Sequence, residues 1–193
     1  MTTQKIRTKD MVRAALFAVI IAICSWLSIP ATVPFTLQTF AVFMTLGLLG
    51  GRNGTLSILA YLLLGAVGVP VFSGFKGGLG ALAGSTGGYL VGFLGTGLIY
   101  WLLTACAGEK LWVKAVGMVL GLLATYALGT AWFQTVSVRA GKEVTTAMVL
   151  GWCVWPFIVP DLIKLAMGLF VSDRLKKRLA AGKCGETLGR PPF

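Results

Sequence analysis

The chain has 193 residues, 56% hydrophobic and only 12% charged, with a mean hydropathy of +0.85. A soluble domain carries about 25% charged residues, so this composition excludes one and indicates a single polytopic membrane domain over residues 1–193. The net charge of +11 would suit a nucleic-acid partner, but the basic residues gather at the chain ends and form no mid-chain stripe, which excludes that class.

Lys5, Arg7, Lys9 and Arg13 lead into an apolar run over residues 12–29. A secretory signal starts in the same way, but 18 residues interrupted only by Arg13, Ser25 and Ser28 is too long for one and fits an uncleaved membrane helix. Apolar segments over 38–50, 54–68, 86–106, 112–134 and 160–173 bring the predicted transmembrane helices to six, an all-α fold. The stretch 144–155 reads as a further short helix packed at the outer surface, and Pro160 suits the first position of the sixth span.

An even number of spans puts both termini on one side. With the N-terminus inside, the inner segments hold 13 Lys and Arg and the outer segments hold three, Lys76, Arg139 and Lys142. Cytoplasmic loops carry the excess of Lys and Arg, so both termini are expected in the cytoplasm. Three segments then fall together on the outer side: "IPATVPF" (29–35), "VPVFSGF" (69–75) and "WPFIVPD" (155–161). Each combines proline with aromatic residues. Such segments end helices and make turns. They also suit a shared pocket, because irregular backbone at membrane depth must be buried in protein or line a cavity.

Asp161 and Lys164 are the one oppositely charged pair inside an apolar segment, three apart and so on one helical face. Ionisable groups in a membrane segment are costly and mark function unless they merely offset each other. Placed in the first turn of the sixth helix, Asp161 faces the favourable end of the helix dipole. The pair offers an acceptor and a cation to a ligand carrying N–H groups and an anionic or carbonyl oxygen.

Residues 68–88, "GVPVFSGFKGGLGALAGSTGG", contain eight glycines. "GLGALAG" has no βαβ context and is no dinucleotide loop, and no G-x-x-x-x-G-K-[ST] occurs, so the chain lacks an ATP-binding P-loop. The glycines instead suit close backbone approach to a ligand, with Phe72, Phe75 and Tyr89 as apolar walls. Ser73 belongs to the same loop, while Ser85 and Thr86 are cap residues for the helix that Gly87 opens, whose N–H groups can meet a ligand. Lys76 is expected to face water, the alternative being contact with an anionic group of the ligand. On helix 1, Ala14, Ala18, Ala22 and Ser25 form a small-residue stripe that serves either internal packing or a partner helix.

There is no histidine, and Cys24, Cys106, Cys153 and Cys184 lie far apart, so His-based catalysis, a metal site and a disulfide framework are not expected.

Over roughly residues 11–178 the sequence resembles the BioY family, the biotin-specific substrate-binding (S) components of energy-coupling factor (ECF) transporters. The stretches that carry the resemblance are "IPATVPFTLQTFAVF" (29–43), "LSILAYLLLGAVGVPVFSGFKGGLGALAGSTGGYLVGF" (56–93), "YALGTAW" (126–132) and "WPFIVPDLIK" (155–164). This chain has "GSTGGY" for the family's G-P-T-G-G-Y, which alters loop stiffness, and "VPD" for P-G-D, which moves proline to the residue before Asp161. The resemblance implies a six-helix unit in a prokaryotic cell membrane, with residues 179–193 as a cytoplasmic tail. It implies biotin binding from outside, with Asp161, Lys164, Phe72, Ser73, Phe75, Thr86, Gly87 and Tyr89 in the site. It also implies a membrane T component docked on the helix 1 alanines and two cytoplasmic ATPases, so that this chain itself has no cofactor. Competing readings are an S component for another small vitamin, a stand-alone transporter and an intramembrane enzyme. The last has no nucleophile–base pair to support it.

Overall fold

The computed structural model describes residues 8–30 and 33–188. Lys5, Arg7 and Arg190 of the basic clusters, and Ala31 and Thr32 of the first proline segment, lie outside the described residues. Helix α1 (Thr8–Trp26) leads to a two-stranded antiparallel hairpin, β1 (Ser28–Ile29) and β2 (Phe35–Thr36), with Ser28 opposite Thr36. Then come α2 (Gln38–Val67), a short α3 (Leu79–Ala83), α4 (Gly87–Ala107), α5 (Leu111–Arg139), α6 (Thr146–Cys153) and α7 (Trp155–Leu188).

Helix α2 is two helices. Gly50 has φ 79° and ψ 175°, a conformation that suits glycine and breaks the helix. The chain reverses there: a Cβ on Gly54 would lie 3.0 Å from the Cα of Leu46, a contact impossible along one straight helix. The two limbs match the apolar segments expected at 38–50 and 54–68, and with α1, α4, α5 and α7 they make the all-α, six-helix membrane unit. The stretches Gly87–Ala107, Leu111–Arg139 and Thr146–Arg178 are long and apolar enough to cross a membrane. The first limb of α2, residues 38–49, is only about 18 Å long, against about 30 Å of hydrocarbon. The hairpin and the candidate site adjoin its N-terminal end.

Small residues bring the helices close, as they must where lipid offers little drive for apolar burial. Gly121 of α5 lies against Thr96 of α4, and Gly92 lies against Thr125. The Thr96 hydroxyl is 2.8 Å from both the Gly121 carbonyl and the Thr125 hydroxyl, so polar contacts reinforce the same seam. Gly47 and Gly168 do the equivalent between α2 and α7, against Ser172 and Phe43. Ile21, Phe43, Leu46, Ile58, Tyr61, Tyr100 and Met118 fill the centre.

The sixth span begins earlier than the sequence suggested. Helix α7 starts at Trp155, so Pro160 lies inside it and Asp161 is in the second turn rather than the first. Pro156 lies where a backbone N–H has no intrahelical partner, and Pro160 removes only one bond near the helix start, so neither proline stops the helix.

Candidate functional site

A cavity of about 730 Å³ opens between the β1–β2 hairpin, residues 72–86 and the facing ends of α2, α4, α5 and α7. Small-molecule sites span about 300–1,000 Å³. A buried polar wall of the cavity is built on α2 and α7. The Lys164 ammonium donates to the Thr36 carbonyl at 2.7 Å, the Asp161 carboxylate at 3.0 Å and the Thr39 hydroxyl at 3.3 Å. Asp161 Oδ1 also accepts from Thr39 Oγ1 at 3.1 Å, and Oδ2 accepts from Tyr126 Oη at 2.8 Å. Only 5% of the Asp161 side chain and 7% of the Lys164 side chain are exposed. The Phe35 ring covers the ammonium at 3.9 Å and stands 5.9 Å from Phe157. A buried ion pair is tolerable when further hydrogen bonds satisfy both partners, and these meet that condition. All three N–H bonds of Lys164 are engaged, while the carboxylate retains acceptor capacity.

Next to this wall, buried Gln38 spends an N–H on Tyr61 Oη at 3.1 Å and retains its amide oxygen as an acceptor. Tyr61 in turn donates to the Val71 carbonyl at 3.2 Å, tying the start of α2 to the loop that follows it. Ser25 of α1 donates to the same carbonyl, and Trp26 Nε1 donates to the Pro70 carbonyl at 2.9 Å. Phe72 lines the cavity with the tip of its ring against Gly65, where a Cβ would collide with it, and meets Tyr61 edge-on at 5.6 Å. Residues 72–76 form a tight turn closed by Phe72 N–H donating to the Lys76 carbonyl at 2.9 Å.

The cavity lining brings together Asp161, Lys164, Phe72, Ser73, Thr86 and Tyr89 of the expected site residues. Two others are elsewhere. Phe75, at φ 57°, turns outward, is 65% exposed and stacks on Trp26 at 5.1 Å, because the tight turn sends consecutive side chains to opposite faces. Gly87 packs on the backbone of Leu82, where any Cβ would overlap the carbonyl oxygen, and its N–H bonds to Gly84 at 3.1 Å. It shapes the junction of α3 and α4 without lining the cavity. Thr86 is the N-cap residue of α4, but its hydroxyl makes no capping bond.

The small-residue stripe on α1, expected to serve either internal packing or a partner helix, faces inward in this chain. Ala18, Ala22 and Ser25 are buried and Ala14 is half-buried, all turned toward the protein's own helices. Small side chains let α1 close on α2, and Ser25 is further committed to Val71. The exposed face carries Val12, Leu16, Val19 and Ile23 instead.

Gln38, Thr39, Tyr126 and Phe157 line the cavity and were not singled out from the sequence. Each lies in a stretch that carries the family resemblance, which was the available signal.

The sequence profile of the BioY family matches residues 1–181. The chain is 40% identical over 170 residues to the biotin transporter BioY of Thermotoga maritima, covering 88% of this chain and 96% of that protein. It is 36% identical over 172 residues to the probable biotin transporter BioY of Pyrococcus horikoshii, covering 88% and 98% respectively. The crystal structure of the S-component for biotin from an ECF-type ABC transporter superposes with a TM-score of 0.74 at 27% identity, over 90% of this chain and 95% of that one.

Proposed function

We propose, on the premise that this chain belongs to the BioY family, that it is the biotin-binding S component of an ECF-type importer. It is a membrane transport protein and not an enzyme. The observation that carries the ligand assignment is the cavity of about 730 Å³ walled by the Asp161–Lys164 network. Biotin is a fused ureido–thiolane ring system with a carboxylate-ended chain. Its ureido group brings N–H donors that the Asp161 carboxylate and the Gln38 amide oxygen can accept. Its ring and chain are apolar, as are Phe72, Leu90, Phe93 and Leu122 on the lining.

Uptake rests on partners in this reading. The chain has no P-loop of its own, so ATP is hydrolysed by two cytoplasmic subunits that reach this protein through a membrane T component. The superposition on an S-component supports that assembly. Both termini are cytoplasmic, as the distribution of Lys and Arg favours, and the cavity opens outward.

Titration of the purified chain with biotin tests the ligand. Saturable, stoichiometric binding is expected, and binding of a different small vitamin in its place would overturn the assignment. Cysteine labelling tests the orientation: position 76 reacts from outside and position 177 only after permeabilisation. Vesicles containing this chain alone should bind biotin without accumulating it.

A further inference from the structure

We propose that Lys76 recognises the ligand's carboxylate, so that biotin lies with its ureido ring on the α2–α7 wall and its acid group under the 72–76 turn. This rests on the biotin reading above.

The polar groups of the cavity are sorted by kind. The buried wall is rich in acceptors: the Asp161 carboxylate, the Gln38 amide oxygen and the Thr36 carbonyl. Its one cation, Lys164, has every N–H engaged within hydrogen-bond distance. A ligand carboxylate placed there would meet Asp161 and would have to displace the Thr36 or Thr39 contact to reach Lys164. Like charges in one buried site are strongly unfavourable.

The 72–76 turn differs. Lys76 lines the cavity, is exposed, and has no side-chain hydrogen bond or ion pair among the described residues. Ser73, Ser85 and Thr86 also line the cavity, with hydroxyls that can donate. Asp161 and Lys164 cancel in charge, so the charged lining as a whole carries one net positive charge, and that charge is Lys76. A monoanion completes the balance.

The backbone at Lys76 is also held in place. Its carbonyl closes the turn with Phe72, whose ring is planted on Gly65, while Phe75 is stacked on Trp26. The backbone that presents the ammonium is therefore fixed on both flanks, which reduces the ordering cost of binding.

Binding of biotin and of the neutral biotin amide to the purified full-length chain tests the assignment. A charge-assisted contact at a partly exposed rim corresponds to about a tenfold effect. The wild type should bind biotin about tenfold more tightly than the amide. Lys76→Gln should lose about that factor for biotin, leave amide binding nearly unchanged and bring the two affinities together. Lys76→Arg should restore the preference. If Lys76→Gln keeps the wild-type ratio, the carboxylate lies elsewhere and the orientation is wrong. If the wild type binds neither compound, the biotin reading itself fails, a result distinct from an unchanged ratio.

Discussion

Two clusters of charge, at opposite ends of the molecule, share one geometry and differ in surroundings. Lys164 and Asp161 are 3.0 Å apart in the cavity wall, and Lys114 and Glu109 are 3.0 Å apart at the junction of α4 and α5. The Glu109 side chain is 61% exposed, though that of Lys114 is only 14% exposed, and Glu109 also meets Lys176 of α7 at 3.4 Å. Distance alone would rank the pairs as equals. Burial separates them: removing one partner of a buried pair costs about 3–5 kcal/mol, whereas an exposed pair contributes about 0–1 kcal/mol. The buried network can thus serve as a rigid recognition wall. The pair at Glu109, open to solvent on its carboxylate side, is a clasp between the α4–α5 loop and helices α5 and α7.

The comparison breaks most visibly at Asp161. Asp161→Ala leaves the Lys164 ammonium buried without its counter-charge, and a stability loss of about 3–5 kcal/mol is expected in thermal or denaturant unfolding. Biotin binding should be lost with it. Pairing Asp161→Asn with Lys164→Met removes both charges, so most of the stability should return while binding does not. A double variant that binds biotin like the wild type would reduce the pair to a structural role.

Tyr126→Phe is a smaller cut. It deletes the 2.8 Å hydrogen bond to Asp161 Oδ2 and leaves the ion pair standing. Hydrogen bonds to charged groups contribute about 1.5–3 kcal/mol, so stability should fall by an amount in that range, with biotin affinity shifted in isothermal titration. Unchanged stability and affinity would remove Tyr126 from the working network.

Glu109→Gln tests the exposed end and should do least. Lys114 beside it, with Lys176 adding to the effect, holds the Glu109 carboxyl below the usual carboxylate range. A depressed folded-state pKa stabilises the protein above the unfolded value of about 4.3 and loses that contribution as pH falls through the folded value. Wild type and variant should therefore differ by less than about 1 kcal/mol at pH 7 and converge at strongly acidic pH. Biotin binding should not change. A difference that grows on acidification would reverse the sign of this account.

The candidate site was legible in part. Asp161 and Lys164 stand out because ionisable residues in an apolar helix need a reason to be there. Thr39 and Tyr126 do not stand out, since a threonine or tyrosine in a membrane helix is ordinary until its neighbour is known. Thr39 and Asp161 are 122 positions apart in the chain, and nothing local relates them. The α1 stripe shows the same limit from the other side. Its period marks Ala14, Ala18, Ala22 and Ser25 as one close-packing face, but a period does not name what packs there, and the face closes on the protein's own interior.

By itself the sequence determined the membrane class, the six apolar spans, the one-sided distribution of basic residues and the buried pair. These follow from composition and helical period, which are local and additive. Tertiary structure decided the rest. It folded α2 back at Gly50, turned Phe75 out onto Trp26 and pressed Gly87 against Leu82. It also engaged every N–H of Lys164 while leaving the cavity-lining Lys76 without a side-chain partner among the described residues. Whether a side chain meets a ligand, a neighbouring helix or solvent depends on the packing of segments distant in the chain, and no single segment carries that information.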